Sequence, residues 1–261
     1  MRTICAALAV AVAGLVAGTA VAHERDFTLS RDWHLPYVGE CEVESRSFWN
    51  ERSHDFTQQF EFEYGITKHF AIEPGLTFHK DVGDELDLDA LDTELRFNFL
   101  DFDYGKILPA FNIEYEHPVG NDEKDRAEAK FILSMYGTHG EDLTVNYNIG
   151  QELVHRGDSE SELTAGYVFS LSSLLGIDDD EKPKSESPEG GTEPPRKFGR
   201  SDTLKAGVEF IQDFEETHTG LGPIVSFRVS RNLHVLATYV VGLNDRPDNE
   251  DQARVILEWE F

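Results

Sequence analysis

The sequence is poor in cysteine, in basic residues and in long hydrophobic runs. Of its 261 residues two are cysteine, and 23 are lysine or arginine against 50 aspartate or glutamate, which gives a formal net charge of −27. After residue 22 no apolar run approaches the roughly 20 residues that a membrane-spanning helix needs. These absences exclude a disulfide scaffold and a bundle of transmembrane helices. The excess of acid argues against nucleic acid as a partner.

The first segment, residues 1–22, predicts a cleaved secretory signal peptide. Arg2 precedes an apolar run, and small residues follow as far as Ala22. A charged start, an apolar stretch and a small-residue cleavage site are the order that export signals show. The run is too short for a membrane anchor. Cleavage would make His23 the amino terminus and leave Cys41 as the single thiol.

Two-residue alternation of apolar and polar side chains is abundant from about residue 38 to the end. In "DFTQQFEFEYG", Phe60, Phe62 and Tyr64 share one parity and the polar residues share the other. About twelve such segments follow one another, each roughly ten residues long, which is the length of a tilted transmembrane β-strand. The sequence therefore predicts an all-β fold: a transmembrane antiparallel up-and-down β-barrel of about twelve strands.

The connections between these segments alternate in length and charge. One set is short, such as "DFDYGK" and "SRN", and the other is acidic and often longer, such as "KDVGDELDLD" and "NDRPDNED". We interpret them as short periplasmic turns and acidic external loops. The predicted organisation is an N-terminal segment 23–37, a barrel 38–261 and a disordered Pro/Glu/Ser-rich insert at about 176–200. The insert falls on the periplasmic side, unless the strand count is wrong by one.

A soluble β-sandwich or lipocalin-like barrel also alternates, so the membrane interpretation needs more support. The charges gather on one parity and are nearly absent from the other. Aromatic residues recur near the strand ends, as in the girdles at membrane interfaces. These aromatic residues are Tyr64, Phe70, Phe78, Phe99, Tyr104, Tyr115, Tyr136, Trp259 and Phe261. Both features favour a membrane barrel.

The C-terminal stretch "VILEWEF" ends in an aromatic residue, one further residue and phenylalanine. With the signal peptide and the alternating strands, it resembles the bacterial outer-membrane β-barrel class. That resemblance implies that Trp259 and Phe261 form the signal read by the barrel assembly machinery. More narrowly, the "YGIT" turn at 64–67 and the "EPGLTF" strand within 70–78 resemble the transporter-like (MetA-type) outer-membrane proteins associated with phenol-degradation pathways. The narrower resemblance implies a transporter-like role in the cell outer membrane.

If the apolar parity faces lipid, the other parity faces the lumen. The predicted lumen-lining residues are Glu61, Glu63, Glu73, His79, Asp92, Glu94, Arg96, Glu114, Glu116, Glu128, Lys130, Glu209, Arg228, Arg254, Glu258 and Glu260. Acids outnumber bases, so an open pore would favour cations and polar solutes. Alternatively, the bases pair with the glutamates in an interior network that plugs the barrel. The sequence leaves both possibilities open.

The predicted function is an outer-membrane channel or transporter-like pore for small solutes. The alternative is a plugged barrel that presents acidic loops at the cell surface. The expected partners are outer-membrane lipids, lipopolysaccharide, the barrel assembly machinery and small solutes. No cofactor or defined metal site is predicted, although the acidic loops attract divalent cations and an amino-terminal His23 has the groups to chelate copper.

A third hypothesis is an outer-membrane lipid hydrolase, because some twelve-strand barrels are lipases. His155 and Ser159 are close in sequence, within "VHRGDSES". They lie on an acidic loop without the His-x-Ser strand arrangement of the outer-membrane phospholipase, and no Gly-x-Ser-x-Gly motif is present. The sequence therefore predicts no catalytic residue.

Overall fold

The computed structural model describes residues 27–119, 124–138, 141–154, 157–171, 204–215, 218–230, 232–244 and 251–261. Twelve β-strands follow one another along the chain. They are β1 (Cys41–Asn50), β2 (Phe56–Thr67), β3 (Phe70–Lys80), β4 (Asp87–Asn98), β5 (Leu108–Pro118), β6 (Arg126–Tyr136), β7 (Glu141–Glu152), β8 (Ser159–Ser170), β9 (Leu204–Asp213), β10 (Thr219–Arg228), β11 (Leu233–Gly242) and β12 (Gln252–Glu260).

Each strand pairs antiparallel with its neighbours in the chain, and β1 pairs with β12, so the sheet closes. The closing register runs from Glu42 opposite Glu260 to Asn50 opposite Gln252. The predicted twelve-strand up-and-down barrel is thus confirmed. A closed sheet leaves no unpaired edge, which is the condition for crossing a bilayer with strands.

The two-residue period explains which side chains lie outside and which lie inside. On β6, Phe131 and Leu133 are each 51% exposed, whereas the intervening Ile132 is buried. On β12, Val255, Leu257 and Trp259 are exposed in the same way. An apolar outer surface of this extent would promote aggregation in water, but hydrocarbon covers it in a membrane. Among the described residues, no helix is long and apolar enough to span a membrane.

The lengths of the connections follow the predicted alternation only in part, because the β4–β5 connection from Asn98 to Leu108, predicted as a short turn, is longer than the acidic β3–β4 loop. The β2–β3 turn is two residues long, between Thr67 and Phe70, whereas Lys80 and Asp87 are joined by the acidic β3–β4 loop. The predicted insert falls between β8 and β9. The signal peptide and the insert at 176–200 both lie outside the described residues.

Residues 27–37, which we call the lumenal segment, lie inside the barrel. Phe27, Arg31 and Trp33 are buried although they belong to no strand. The segment leads to β1 at the end where both termini of the barrel lie, and there Gly39 donates a backbone hydrogen bond of 2.8 Å to Gly65. The sequence predicts a separate N-terminal segment at 23–37 but no structure for it.

The interior of the barrel contains two apolar clusters as well as charges. Phe27 packs in the first cluster and Trp33 in the second. The first also contains Val168, Ile224, Leu236 and Ile256, and the second contains Leu108, Ala110, Ile132 and Tyr136. The prediction that Tyr136 belongs to an interfacial girdle is therefore wrong. Its ring is 4% exposed and faces inward, because Tyr136 shares the inward parity of Ile132 on β6, and it packs in the same cluster as Trp33.

Candidate functional site

A row of carboxylates lines the inner wall formed by β1 to β4. Alternation points every second side chain of these strands inward, and the antiparallel register aligns the glutamates across neighbouring strands. Glu44 on β1 lies opposite Glu61 on β2. Glu73 on β3 lies opposite Glu94 on β4. All four are buried, so the wall carries a concentrated negative charge that requires cationic partners.

Arg31 of the lumenal segment provides that cation. Its guanidinium is 2.9 Å from Glu61, 3.5 Å from Glu44 and 3.8 Å from Glu94. It also contacts Glu73. Arginine suits this position because its planar group carries five donors and stays protonated when buried. One side chain therefore ties the segment to four strands of the wall.

Bases on the wall extend the cluster into a network. Nε of Arg46 donates a 2.8 Å hydrogen bond to Glu44. Arg96 donates to Glu63 and, at 2.8 Å, to the backbone oxygen of His34. Lys130 approaches Glu94 at 3.4 Å. Buried charges of both signs are interleaved here, as in the alternative in which the bases pair with the glutamates.

The backbone of the lumenal segment also has partners, which it needs because no strand pairs with it along its length. The carboxylate of Glu209 accepts hydrogen bonds from the amides of Thr28 at 2.8 Å and Leu29 at 2.7 Å. The amide of Trp33 donates to the hydroxyl of Ser134 at 3.0 Å. Side chains of the wall thus replace the ladder bonds of a sheet.

Little space remains between the segment and the wall. The cavity beside Arg31 has a volume of about 10 Å³. Its lining residues are Arg31, Asp32, His34, Glu42, Glu44, Glu63, Arg96 and Glu258. A space of that size holds about one water molecule. The cavity beside Arg31 is therefore too small to admit a solute.

The predicted lumen-lining residues all belong to the inward parity of their strands, but their environments differ. Those that are buried are Glu61, Glu63, Glu73, Glu94, Arg96, Glu209, Glu258 and Glu260. Those that are partly exposed are His79, Asp92, Glu114, Glu116, Glu128, Lys130, Arg228 and Arg254. The first group surrounds the lumenal segment or lies at the end of the barrel where the termini meet. Whether these residues line a conducting path stays a prediction.

Arg31, at the centre of the site, and three inward side chains of β1 are not among the predicted lumen-lining residues. Glu42, Glu44 and Arg46 alternate on one parity in "ECEVESRSF", a signal that β1 shares with the other strands. For Arg31 the signal is weaker. It is a base that precedes the barrel in a stretch with the apolar residues Phe27, Leu29, Trp33 and Leu35.

Acidic side chains gather at the end of the barrel that carries the β3–β4 loop, and the assignment of this end to the external side stays a prediction. A pocket of about 470 Å³ opens beside the β3–β4 loop. It is lined by His79, Asp81, Asp84, Glu85, Asp87, Leu88 and Asp89. Near the start of β6, hydrogen bonds from His117 at 2.6 Å and Tyr115 at 2.7 Å lower the pKa of Asp125. These two contacts therefore favour the ionised form of Asp125.

The C-terminal strand positions its two aromatic residues at the rim. Trp259 is 49% exposed, and its ring stacks on Phe261 with the centroids 6.1 Å apart. The amide of Phe261 donates to the backbone oxygen of Cys41 at 2.9 Å. Recognition by the assembly machinery stays a prediction.

Ser159 is exposed at the start of β8, and His155 lies outside the described residues, so the absence of a hydrolase site also stays a prediction.

Comparison of the whole fold with solved structures gives matches to membrane channels. NanC porin aligns with a TM-score of 0.56 at 8% identity, covering 84% of this chain and 100% of that one. KdgM porin aligns with a TM-score of 0.55 at 8% identity, covering 84% and 99%. An outer membrane channel from Pseudomonas putida F1 aligns with a TM-score of 0.52 at 10% identity, covering 90% and 100%.

The chain has the barrel fold of outer-membrane porins. No protein-family model and no curated protein matches the sequence. At 8–10% identity the structural likeness shows the fold and leaves the solute open. The narrower resemblance to the proteins associated with phenol-degradation pathways stays a prediction.

Proposed function

We propose that this protein is an outer-membrane channel for small solutes whose resting state is closed by the lumenal segment. The observation that carries the proposal is the position of residues 27–37. They lie largely buried inside the barrel and belong to none of its strands. Because the twelve strands close without the segment, its withdrawal would open a path without breaking the sheet. The porin fold of the structural neighbours supports the same conclusion.

The charges inside the barrel favour cations or polar neutral solutes over anions. Once Arg31 withdraws, Glu44, Glu61, Glu73 and Glu94 would face the open path with fewer bases near them. Rings of carboxylates select cations in channels. The acidic pocket at the external end would concentrate cations before they enter.

Planar-bilayer recordings test the proposal. We expect the wild-type protein to conduct rarely, and a variant lacking residues 27–36 to conduct often, because the deletion removes the obstruction. The deletion should leave the barrel intact, because the deleted residues contribute no strand. Zero conductance from the deletion variant, in preparations whose strand content matches wild type, would exclude the channel.

The second candidate function is a permanently plugged barrel that acts as a structural or surface-interaction protein. The buried contacts of Arg31 with four carboxylates favour it, because withdrawing the segment separates all of them. The same planar-bilayer recordings distinguish the two candidate functions. A permanent plug predicts that wild type never conducts under any applied voltage or solute.

A further inference from the structure

The β4–β5 connection, residues 99–107, contacts the lumenal segment as well as the strands that it joins. The ring of Phe102 stacks on that of His34, with the centroids 5.7 Å apart, and lies 5.9 Å from that of Trp33. Both of these partners belong to the lumenal segment. Phe102 also packs against Tyr136 of β6, at 5.4 Å between the ring centroids. One side chain of the connection therefore joins the segment to the wall of the barrel.

The connection is attached to the barrel by contacts that involve no residue of the lumenal segment. The amide of Gly105 donates a 2.8 Å hydrogen bond to the backbone oxygen of Tyr136. Gly105 has a φ of +71°, a left-handed conformation that glycine adopts without the strain of a Cβ atom. The ring of Tyr104 packs edge-on against Phe102, with the centroids 4.8 Å apart. These contacts would remain if the segment moved, so the connection offers the segment a fixed surface.

The other end of this part of the segment is fixed by a turn at Gly39, which leads into β1. Gly39 has a φ of +85°, and its amide donates a 2.8 Å hydrogen bond to the backbone oxygen of Gly65 on β2. The turn and the β4–β5 connection both lie at the end of the barrel where the termini meet. If the turn stays in place, withdrawal of the segment must carry Trp33 and His34 away from Phe102.

We propose that Phe102 is a positioning residue of the channel gate, whose ring holds the lumenal segment in the closed position. The inference rests on the proposed function, in which withdrawal of the segment opens the path. Aromatic pairs are stabilised beyond the burial of their area and have preferred geometries, so the loss of one ring weakens and misaligns the contact. The ion pairs of Arg31 fix the middle of the segment, and Phe102 acts on the residues between Arg31 and Gly39.

The test compares Phe102→Ala with Phe99→Ala in planar-bilayer recordings of the full chain. Phe99 belongs to the same connection, is 60% exposed and forms no ring contact with the lumenal segment among the described residues. We expect Phe102→Ala to open about fivefold more often than wild type, the factor that corresponds to one lost aromatic pair. Phe99→Ala should open like wild type. His34→Ala removes the other ring of the stacked pair and should have the same effect as Phe102→Ala.

The same substitution in the variant that lacks residues 27–36 separates an effect on the segment from an effect on the barrel. In that background Phe102→Ala should leave conduction unchanged, because the ring has no segment to hold. Heat-dependent electrophoretic mobility confirms that each variant is a folded barrel. If Phe102→Ala changes conduction equally with and without the segment, the ring acts on the barrel itself and the proposal is overturned.

A measurement that needs no conduction distinguishes failure of this inference from failure of the channel. Ser30 is buried in the lumenal segment, so the thiol of a Ser30→Cys variant, in a Cys41→Ser background, reacts with a bulky maleimide only when the segment withdraws. The labelling rate, read against Cys41→Ser alone, therefore follows the population of the withdrawn state. Phe102→Ala should raise that rate by the same factor of about five.

The two measurements together give outcomes that differ for the two proposals. Faster labelling without conduction in any variant would support the role of Phe102 and contradict the proposed channel. Conduction by the variant lacking residues 27–36, with opening and labelling both unchanged by Phe102→Ala and His34→Ala, would support the channel and overturn the role of Phe102.

Discussion

Nη2 of Arg31 donates a hydrogen bond of 2.9 Å to Oε2 of Glu61. The two residues are 30 positions apart in the sequence, and the bond joins the lumenal segment to the inner wall of the barrel. Both side chains are at most 10% exposed. A buried pair of this kind contributes little net stability compared with an apolar pair, but removing one partner alone is costly. The bond therefore fixes the position of the lumenal segment more than it stabilises the barrel.

Replacing Arg31 with methionine should destabilise the closed state. Glu44, Glu61 and Glu73 would lose a shared cation while remaining buried. Breaking a buried ion pair costs about 3–5 kcal/mol, and Arg46 and Arg96 would compensate for part of that. We expect the free energy of unfolding in urea, measured in detergent or lipid, to fall by about 2–3 kcal/mol.

Lys68→Met is the matched control for that substitution. Lys68 also forms an ion pair, at 2.8 Å with Asp101, but both side chains are largely exposed. Solvent screens exposed pairs, so the unfolding midpoint should stay unchanged. If Arg31→Met were as mild as Lys68→Met, the charge network would not hold the segment.

Phe27 and Gly166 should show strong energetic coupling. A methyl group added at Gly166 would overlap with Cδ1 and Cε1 of the Phe27 ring. Gly166→Ala should therefore cost about 1–3 kcal/mol by overpacking, and Phe27→Ala about 3 kcal/mol or more by leaving a cavity. In the double variant the added methyl group occupies space that the ring has left, so its cost should largely disappear.

The measurement is a double-mutant cycle of unfolding free energies. Residues in contact typically give coupling energies of about 0.5–3 kcal/mol, and additive costs would show that the ring does not lie against Gly166. The same variants report on closure. Gly166→Ala should raise the frequency of channel opening although it removes no side chain, because it displaces the ring that fixes the start of the segment.

The barrel could be predicted from the sequence because the strand period is a local property, and closure follows from the requirement that a sheet in a membrane leaves no unpaired edge. Phe131, Leu133 and Met135 show the outward parity without any tertiary information. The lumenal segment could not be predicted in this way. The position of Arg31 depends on carboxylates from β1 to β4, which only the closed register brings together. Tyr136 has an interfacial residue type, but its parity, opposite to that of Met135, already places it inward, and only the fold shows that it packs beside Trp33.

Removal of Phe261 should impair assembly in cells more than the stability of the assembled barrel. The resemblance to outer-membrane barrels implies that Trp259 and Phe261 are read by the assembly machinery. In the folded protein Phe261 adds one stacking contact and one backbone hydrogen bond beyond the end of β12. We expect the truncated protein to reach the outer membrane in reduced amount and to refold into detergent at the wild-type yield.

Leu257→Ala is the control, because it removes an outward apolar side chain of the same strand and leaves the terminus intact. Its amount in the outer-membrane fraction should stay near wild type. If both variants are reduced equally in the outer-membrane fraction, assembly depends on the apolar face of β12 as a whole, and the last residue has no special role.

An opened lumen should select cations through the carboxylates that Arg31 neutralises at rest. In the Arg31→Met variant we expect reversal potentials under a salt gradient that favour cations. Adding Glu61→Gln and Glu94→Gln should shift them towards the value of an unselective pore, because two of the buried carboxylates are then neutral.

The matched control adds Asp84→Asn and Glu85→Gln in the external pocket, where solvent screens the charges. Raising the salt from about 0.1 to 1 M shortens the Debye length from about 10 to 3 Å, so a contribution from the external pocket should vanish first. If the selectivity disappears at high salt and is unaffected by the substitutions at Glu61 and Glu94, it arises from the acidic loops and not from the lumen.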